Sequence, residues 1–258
     1  MDVAAVILCG GKGSRMLAEG EQTHKPLLEI KGVPSTKFVI NKLIQSSLHF
    51  AQIIVVVPKN RESEYEDALF GLNCIVVSQE LPLGTGNAVY TALDFLNKSI
   101  EYVYVSFGTQ PLIRNETVEG SLETHIKGNF GFTLATVVMD NPYAPLIRND
   151  LGDVIGSFET HLDGAIMPKK GETNVGSYWA SRITLDNVLV QLHQELYLPE
   201  DEKYDTISGE FGYPNEMVKG CLDKGIKVEG ALIAEEIEMM GIKTPETLDS
   251  IRRFLSEN

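Results

Sequence analysis

Four short apolar runs, at residues 3–8, 53–57, 74–77 and 102–107, recur through the first half of the chain with helix-patterned stretches between them. Runs that are short and apolar throughout suit strands buried on both faces, the condition of a parallel sheet. Between the first two, residues 34–48 place Phe38, Val39, Leu43 and Ile44 at helical spacing behind Pro34 and Ser35. Residues 60–69 read as a polar helix capped by Asn60. Residues 85–96 read as an amphipathic helix with Thr85 as its cap and Ala88, Val89, Ala92, Leu93 and Leu96 on one face. Strand and helix in alternation mean βαβ units, hence an α/β fold with a mostly parallel sheet covered on both sides.

Beyond residue 110 the rhythm changes. A helix is expected at 117–126 and a strand at 132–139. A hairpin follows from 147–148 and 154–158 around Asn149-Asp150-Leu151-Gly152, then a strand at 174–180. Helices are expected at 185–196 and 214–224, with the acidic stretch 199–209 as a surface loop between them. Thr244 caps a last helix that has Pro245 in its first turn.

With 258 residues, 43% of them hydrophobic, the chain has material for a sizeable core. Its net charge of −14 argues against nucleic acid and against an anionic membrane surface as partners. Cys9, Cys74 and Cys221 are too far apart for a zinc spacing and odd in number, and Cys9 and Cys74, at the ends of apolar runs, read as buried thiols of a reducing compartment. No basic-flanked leader opens the chain, and no apolar stretch nears the ~20 residues that span a bilayer. A soluble cytoplasmic protein is expected.

The first apolar run ends in Leu8-Cys9-Gly10-Gly11-Lys12-Gly13-Ser14-Arg15, and Lys25 follows ahead of Pro26. Glycines let backbone N–H groups face an anion with no Cβ in the way, and two separated cations offset its charge. The pattern is neither a Walker A motif nor a dinucleotide fingerprint, because Met16 stands where the third glycine of the latter belongs. A second glycine-rich stretch, Gln79-Glu80-Leu81-Pro82-Leu83-Gly84-Thr85-Gly86, begins at a strand end and runs into a helix. Gln79 offers a carboxamide to the edge of a planar base, and Gly84 and Gly86 permit close backbone approach. Phe107-Gly108-Thr109-Gln110-Pro111 lies at the carboxyl end of the fourth run, where open α/β sheets bind ligands.

LCGGKGSRM, HKPLLEIKGVP, QELPLGTGNA, SFGTQPL, ETNVG and GIKTPETL stand here in the order seen in nucleotidyltransferases that make sugar nucleotides. The chain resembles the uridylyltransferase domains of that family over nearly its whole length, and its glycine loop is similar to that of molybdenum-cofactor guanylyltransferases. The resemblance implies a Rossmann-like three-layer α/β/α fold with a mostly parallel mixed sheet. It implies one nucleotidyltransferase domain over residues 1–258, with a nucleotide half at about 1–115 and a sugar-phosphate half at about 116–258.

It further implies transfer of a nucleoside monophosphate from a nucleoside triphosphate to a sugar 1-phosphate with release of pyrophosphate. UTP is the favoured nucleotide and CTP the second. By matching positions, Leu8, Gly10, Gly11 and Gly13 line the triphosphate, Arg15 and Lys25 are catalytic, Gln79, Gly84 and Thr85 read the base, and Glu159 and Asn174 hold the sugar.

The family also implies Mg²⁺. Its usual ligands are an Asp and an Asn, and those positions, next to Gly108, read Thr109 and Lys243 here. The sugar-pocket element reads Tyr143-Ala144-Pro145 in place of Tyr-Gly-Arg. A neutral hydroxyl is a weaker Mg²⁺ ligand than a carboxylate, whereas a fixed ammonium can itself stabilise phosphoryl transfer. Two function classes therefore stand side by side: an active transferase, and a nucleotide-binding regulatory protein on the same fold. No hexapeptide repeats follow the domain, so no fused β-helix acetyltransferase is expected.

Overall fold

The structure, a computed structural model, describes residues 1–11, 23–157 and 168–257. Among them, seven strands form one sheet: β1 (Asp2–Leu8), β2 (Phe50–Pro58), β3 (Ile75–Gln79), β4 (Ile100–Phe107), β5 (Phe132–Asp140), β6 (Lys170–Ser181) and β7 (Val228–Leu232). Their order is β7-β5-β6-β4-β1-β2-β3. β6 runs antiparallel to both of its neighbours, and the other pairs are parallel.

Helices flank this sheet: α1 (Ser35–Ile44), α2 (Glu62–Ala68), α3 (Thr85–Leu93), α4 (Asn115–Lys127), α5 in three joined pieces (Arg182–Thr184, Leu185–Leu189, Val190–Leu196), α6 (Tyr213–Asp223) and α7 (Pro245–Glu257).

Alternation along β1 sets the layers. Ala4, Val6 and Leu8 share one buried cluster with Val89 and Leu93 of α3. Val3, Ala5 and Ile7 share the other with Val39 and Leu43 of α1 and with Trp179. Each such aliphatic side chain removed from water contributes about 1.5–3 kcal/mol, so both faces of β1 hold helices against the sheet. The result is the Rossmann-like α/β/α sandwich with a mixed, mostly parallel sheet.

Several local expectations need correction. α2 starts at Glu62 with Arg61 as an N-cap whose side chain does not cap the helix but pairs with Glu64. Asn60 is instead a turn residue at φ 67°, a left-handed backbone that Asn tolerates. The N-cap of α3 is Gly84, not Thr85, and the helix stops at Leu93. Residues 199–209 are more than a surface loop, because Tyr197–Leu198 pairs with Lys203–Tyr204 and the Tyr204 ring is buried. β7 was not anticipated. The hairpin stands, as Leu146–Arg148 against Val154–Ser157. Cys9 and Cys221 are buried free thiols, and Cys74 is half-buried. Among the described residues, no helix is long and apolar enough to cross a membrane.

The topology opens one cleft. From β1 the chain steps outward through β2 and β3, then β4 returns to the other side of β1. At such a switch point the flanking loops diverge beyond the carboxyl ends of the strands and leave a crevice. Leu8, Pro58, Gln79 and Phe107 are the last residues of the four strands that surround it.

Candidate active site

β1 ends at Leu8, and the Cys9 N–H bonds to the Val56 carbonyl at 2.8 Å before the chain leaves the sheet. Gly10 and Gly11 are then exposed, with Gly11 at φ 103°, where a side chain is strained. The Gly11 carbonyl is held by His24, whose Nε2 lies 3.2 Å away while its Nδ1 lies 2.7 Å from the Tyr65 hydroxyl. A carbonyl only accepts, so Nε2 carries the hydrogen and Nδ1 accepts from Tyr65. Burial lowers the His24 pKa and keeps the imidazole neutral in this arrangement.

Lys25 opens the short turn Lys25–Leu27. Thr36 at the start of α1 pins that turn through a 2.8 Å bond to the Pro26 carbonyl. Gly13 and Arg15 lie outside the described residues. Two cations not singled out from the sequence complete this wall. Lys59 and Arg61, from the loop after β2, line a 250 Å³ cleft together with Gly10, Gly11, His24 and Gln79. Their signal was topological, since loops after parallel strands face the crevice.

A second cavity of 270 Å³ adjoins the first and is lined by Leu8, Gly10, Gln79, Pro82, Thr85 and Phe107, with Phe211 closing it from far along the chain. Gln79 is buried. Its Nε2 donates to the Gly84 carbonyl at 3.0 Å and to Asn87 Oδ1 at 2.7 Å. Its Oε1 faces Gly10, where a Cβ would sit 3.2 Å from it.

The glycines opposite have a different purpose from the expected one. A Cβ on Gly84 would meet the Phe211 carbonyl oxygen at 2.5 Å, and one on Gly86 would meet the Phe211 ring at 2.6 Å. The close approach they permit is by the protein's own chain. Gly86 N–H donates to the Phe211 carbonyl and Phe211 N–H to the Leu83 carbonyl, at 2.7 and 2.8 Å. Thr85 Oγ1 accepts from the Tyr213 N–H at 2.8 Å, so it anchors α6 while lining the cavity.

Gly108 is a second correction. It is packed into the core rather than lining the cavity, because a Cβ there would meet Cys9 Sγ and Thr36 Oγ1, both at 2.6 Å. Ser35 donates to its carbonyl at 2.7 Å.

The next residue, Thr109, is brought beside the C-terminal element by a 2.8 Å bond from the Ile242 N–H to its carbonyl. Lys243 therefore adjoins it, with Nζ 5.1 Å from the centre of the Tyr143 ring. Asn174 reaches the same region, with its side chain bonded within the protein. Its Oδ1 accepts from the Tyr178 hydroxyl at 2.7 Å and its Nδ2 donates to the Ala144 carbonyl at 3.3 Å, which leaves one Nδ2 hydrogen over. It stands at the irregularity of β6 between Asn174 and Tyr178. Glu159 lies outside the described residues.

Thr109 and Lys243 do not fit a divalent cation. One brings a neutral hydroxyl, and the other an ammonium that repels the ion. Among the described residues, no group of three or more His, Cys, Asp or Glu side chains is placed to hold a metal.

Comparison with known proteins agrees with this layout. The MobA-like NTP transferase domain matches residues 5–161, more than half of the chain. The bifunctional protein GlmU of Clostridium novyi is 30% identical over 98% of this chain and 52% of its own length. That of Acetivibrio thermocellus is 27% identical over 97% and 51%. The chain thus spans about half the length of the curated relatives it matches.

Among solved structures, a proposed glucose-1-phosphate thymidylyltransferase from Bacillus anthracis superposes with a TM-score of 0.75 at 18% identity, covering 99% of this chain and 96% of that one. A 4-diphosphocytidyl-2C-methyl-D-erythritol synthase from Anaerococcus prevotii gives 0.66 at 14%, covering 99% and 98%. These two likenesses concern the fold. A glycine turn that ends the first strand, a lysine behind it and a carboxamide across a switch-point crevice are what the sequence match also covers, and on that match the chain belongs to the MobA-like NTP transferase domain family.

Proposed function

We propose that the chain is a nucleotidyltransferase that moves a nucleoside monophosphate, UMP by preference, from a nucleoside triphosphate to a sugar 1-phosphate. The supporting observation is the meeting, in two adjoining cavities, of Gly10 and Gly11, the cations Lys59 and Arg61, and Gln79. A phosphate oxygen of the acceptor attacks the α-phosphorus. The new P–O bond forms as the bond to the β-phosphate oxygen breaks, and pyrophosphate leaves with the electron pair. The attacking phosphate is already an anion, so no base is needed, and catalysis reduces to alignment and charge stabilisation.

In this reading the Gly10 and Gly11 amides and Gly13 cradle the triphosphate, and Arg15 and Lys25 offset the charge on the leaving pyrophosphate and the α-phosphate. The acceptor binds at the Thr109, Lys243 and Tyr143 end, where the Lys243 ammonium faces its phosphate. The nucleotide half spans about residues 1–115 and the acceptor half about 116–258, within one domain.

The test is a screen of purified folded protein with four nucleoside triphosphates against a panel of sugar 1-phosphates, reading pyrophosphate. UTP with one sugar 1-phosphate is expected to turn over. No pyrophosphate above background for any pair overturns the transferase reading, and tight nucleotide binding with no turnover would leave a nucleotide-binding protein on this fold.

A further inference from the structure

We infer that Asn87, Tyr204 and His193 are positioning residues whose hydrogen-bonded relay holds the Gln79 carboxamide with only its oxygen available to a ligand, and that they act on base affinity from outside the cavity. The inference rests on the nucleotide reading above and concerns how the base is read.

Both hydrogens of Gln79 Nε2 are used, one on the Gly84 carbonyl and one on Asn87 Oδ1. The Gly84 carbonyl has no hydrogen to give, so the carboxamide cannot turn over without loss. Asn87 is held in the same sense by its own Nδ2, which donates to the Tyr204 hydroxyl at 3.0 Å. The Tyr204 hydrogen is then left for His193, whose Nδ1 lies 2.7 Å away. Every link donates in one direction, outward from Gln79.

The last link is itself braced. The His193 ring stacks on Tyr90 with centroids 3.8 Å apart and on Tyr197 at 5.2 Å. Tyr204 is fully buried, which makes an unmet hydroxyl there costly and the direction of the chain firm. The relay thus ties the segment after residue 200 to the base cavity. Uracil N3–H is a donor of the required kind. Asn87, Tyr204 and His193 are positioning residues, since none of them needs to touch the ligand.

Tyr204→Phe and His193→Phe keep ring volume and stacking; the first removes the links to both Asn87 and His193, the second only the link to His193. Dissociation constants are measured by calorimetry on the full chain for UTP, for 3-methyl-UTP, which lacks the N3 hydrogen, and for tripolyphosphate, which lacks a base. Both variants are expected to weaken UTP roughly three- to tenfold, the worth of about one hydrogen bond, and to leave tripolyphosphate unchanged. 3-Methyl-UTP is expected to bind the natural chain more weakly than UTP and to be indifferent to either variant.

Equal weakening of UTP and tripolyphosphate would reduce the relay to scaffolding and overturn the inference. So would unchanged UTP affinity in both folded variants. A natural chain that holds UTP no better than tripolyphosphate would refute the nucleotide reading itself.

Discussion

Replacing Gly84 by alanine tests the wall of the base cavity. Gly84 sits at φ 96°, ψ 175°. That region is essentially closed to side chains and costs about 1–3 kcal/mol to force. The added Cβ would also lie 2.5 Å from the Phe211 carbonyl oxygen and 2.8 Å from its nitrogen. Relief requires Phe211 to withdraw, which gives up its bonds with Gly86 and Leu83, about 1 kcal/mol each. The sum is about 3–5 kcal/mol, a large share of a typical domain's stability.

Urea unfolding can read this through Trp179, the chain's one tryptophan and a fully buried one. With a slope of about 3 kcal/mol per molar, the midpoint should fall by about 1 M. Two controls separate the causes. Gly11→Ala carries the backbone strain, at φ 103° with no atom of the described residues within 4 Å of the new Cβ. Gly86→Ala carries the clash alone, since it is helical and meets the Phe211 ring at 2.6 Å. Each should cost about 1–3 kcal/mol. A Gly84→Ala protein within about 1 kcal/mol of the natural chain would refute the pairing with Phe211, above all if its nucleotide affinity were lost.

Three further outcomes are expected. Lys25→Ala should cut turnover by tenfold or more while the melting temperature moves little, because a half-buried surface cation contributes little to stability; unchanged turnover with a lowered melting temperature would make Lys25 structural. Burial holds the His125 pKa down at about 4, from an ordinary 6.5. The unfolded chain therefore takes its proton first as pH falls, so the contribution is complete above about 6.5 and is lost between 6.5 and 4, by about 3 kcal/mol. His125→Gln should lack that slope in paired pH titrations of stability, and identical slopes would refute it.

Arg148 donates to Glu172 at 2.6 and 2.9 Å and to Glu229 at 2.9 Å. Arg148→Met, which leaves two carboxylates without their cation, should cost about 3 kcal/mol at pH 7 and less at pH 4. An equal loss at both pH values would assign the effect to packing.

The sheet was largely legible because its central strands are apolar on both faces, a pattern with few other uses. β7 escaped notice because Val228-Glu229-Gly230-Ala231-Leu232 is short, and a carboxylate and a glycine interrupt it. Its place at the sheet edge explains why it tolerates both. Asn60 misled because the same residue type serves caps and left-handed turns.

In the site, the glycine turn and Gln79 stood out from sequence, and the structure puts Gly10, Gly11 and Gln79 on one crevice. Gly86 and Gly108 make room for the protein's own atoms, and Gly84 does so while also lining the cavity, since a glycine signals close approach without saying what approaches. The partners of Asn174 were not legible for a related reason: Tyr178 and Ala144 reach it through an irregular strand and a segment 30 residues away. Tyr204 and Phe211 lie more than 100 residues from the loop they brace, beyond the reach of local pattern.

That last pairing bears on how this protein can be divided. The family match ends at residue 161, yet Phe211 covers the loop at 83–86 and Tyr204 steadies Asn87. A fragment cut at the family boundary would carry the glycine turn but bare the flank of the loop at 83–86. On the function proposed above, recombining such a fragment with a different C-terminal partner would transmit phosphate binding and not base reading. Exchange of this chain's C-terminal half would then alter nucleotide choice as well, unless the strap after residue 200 travelled with its loop.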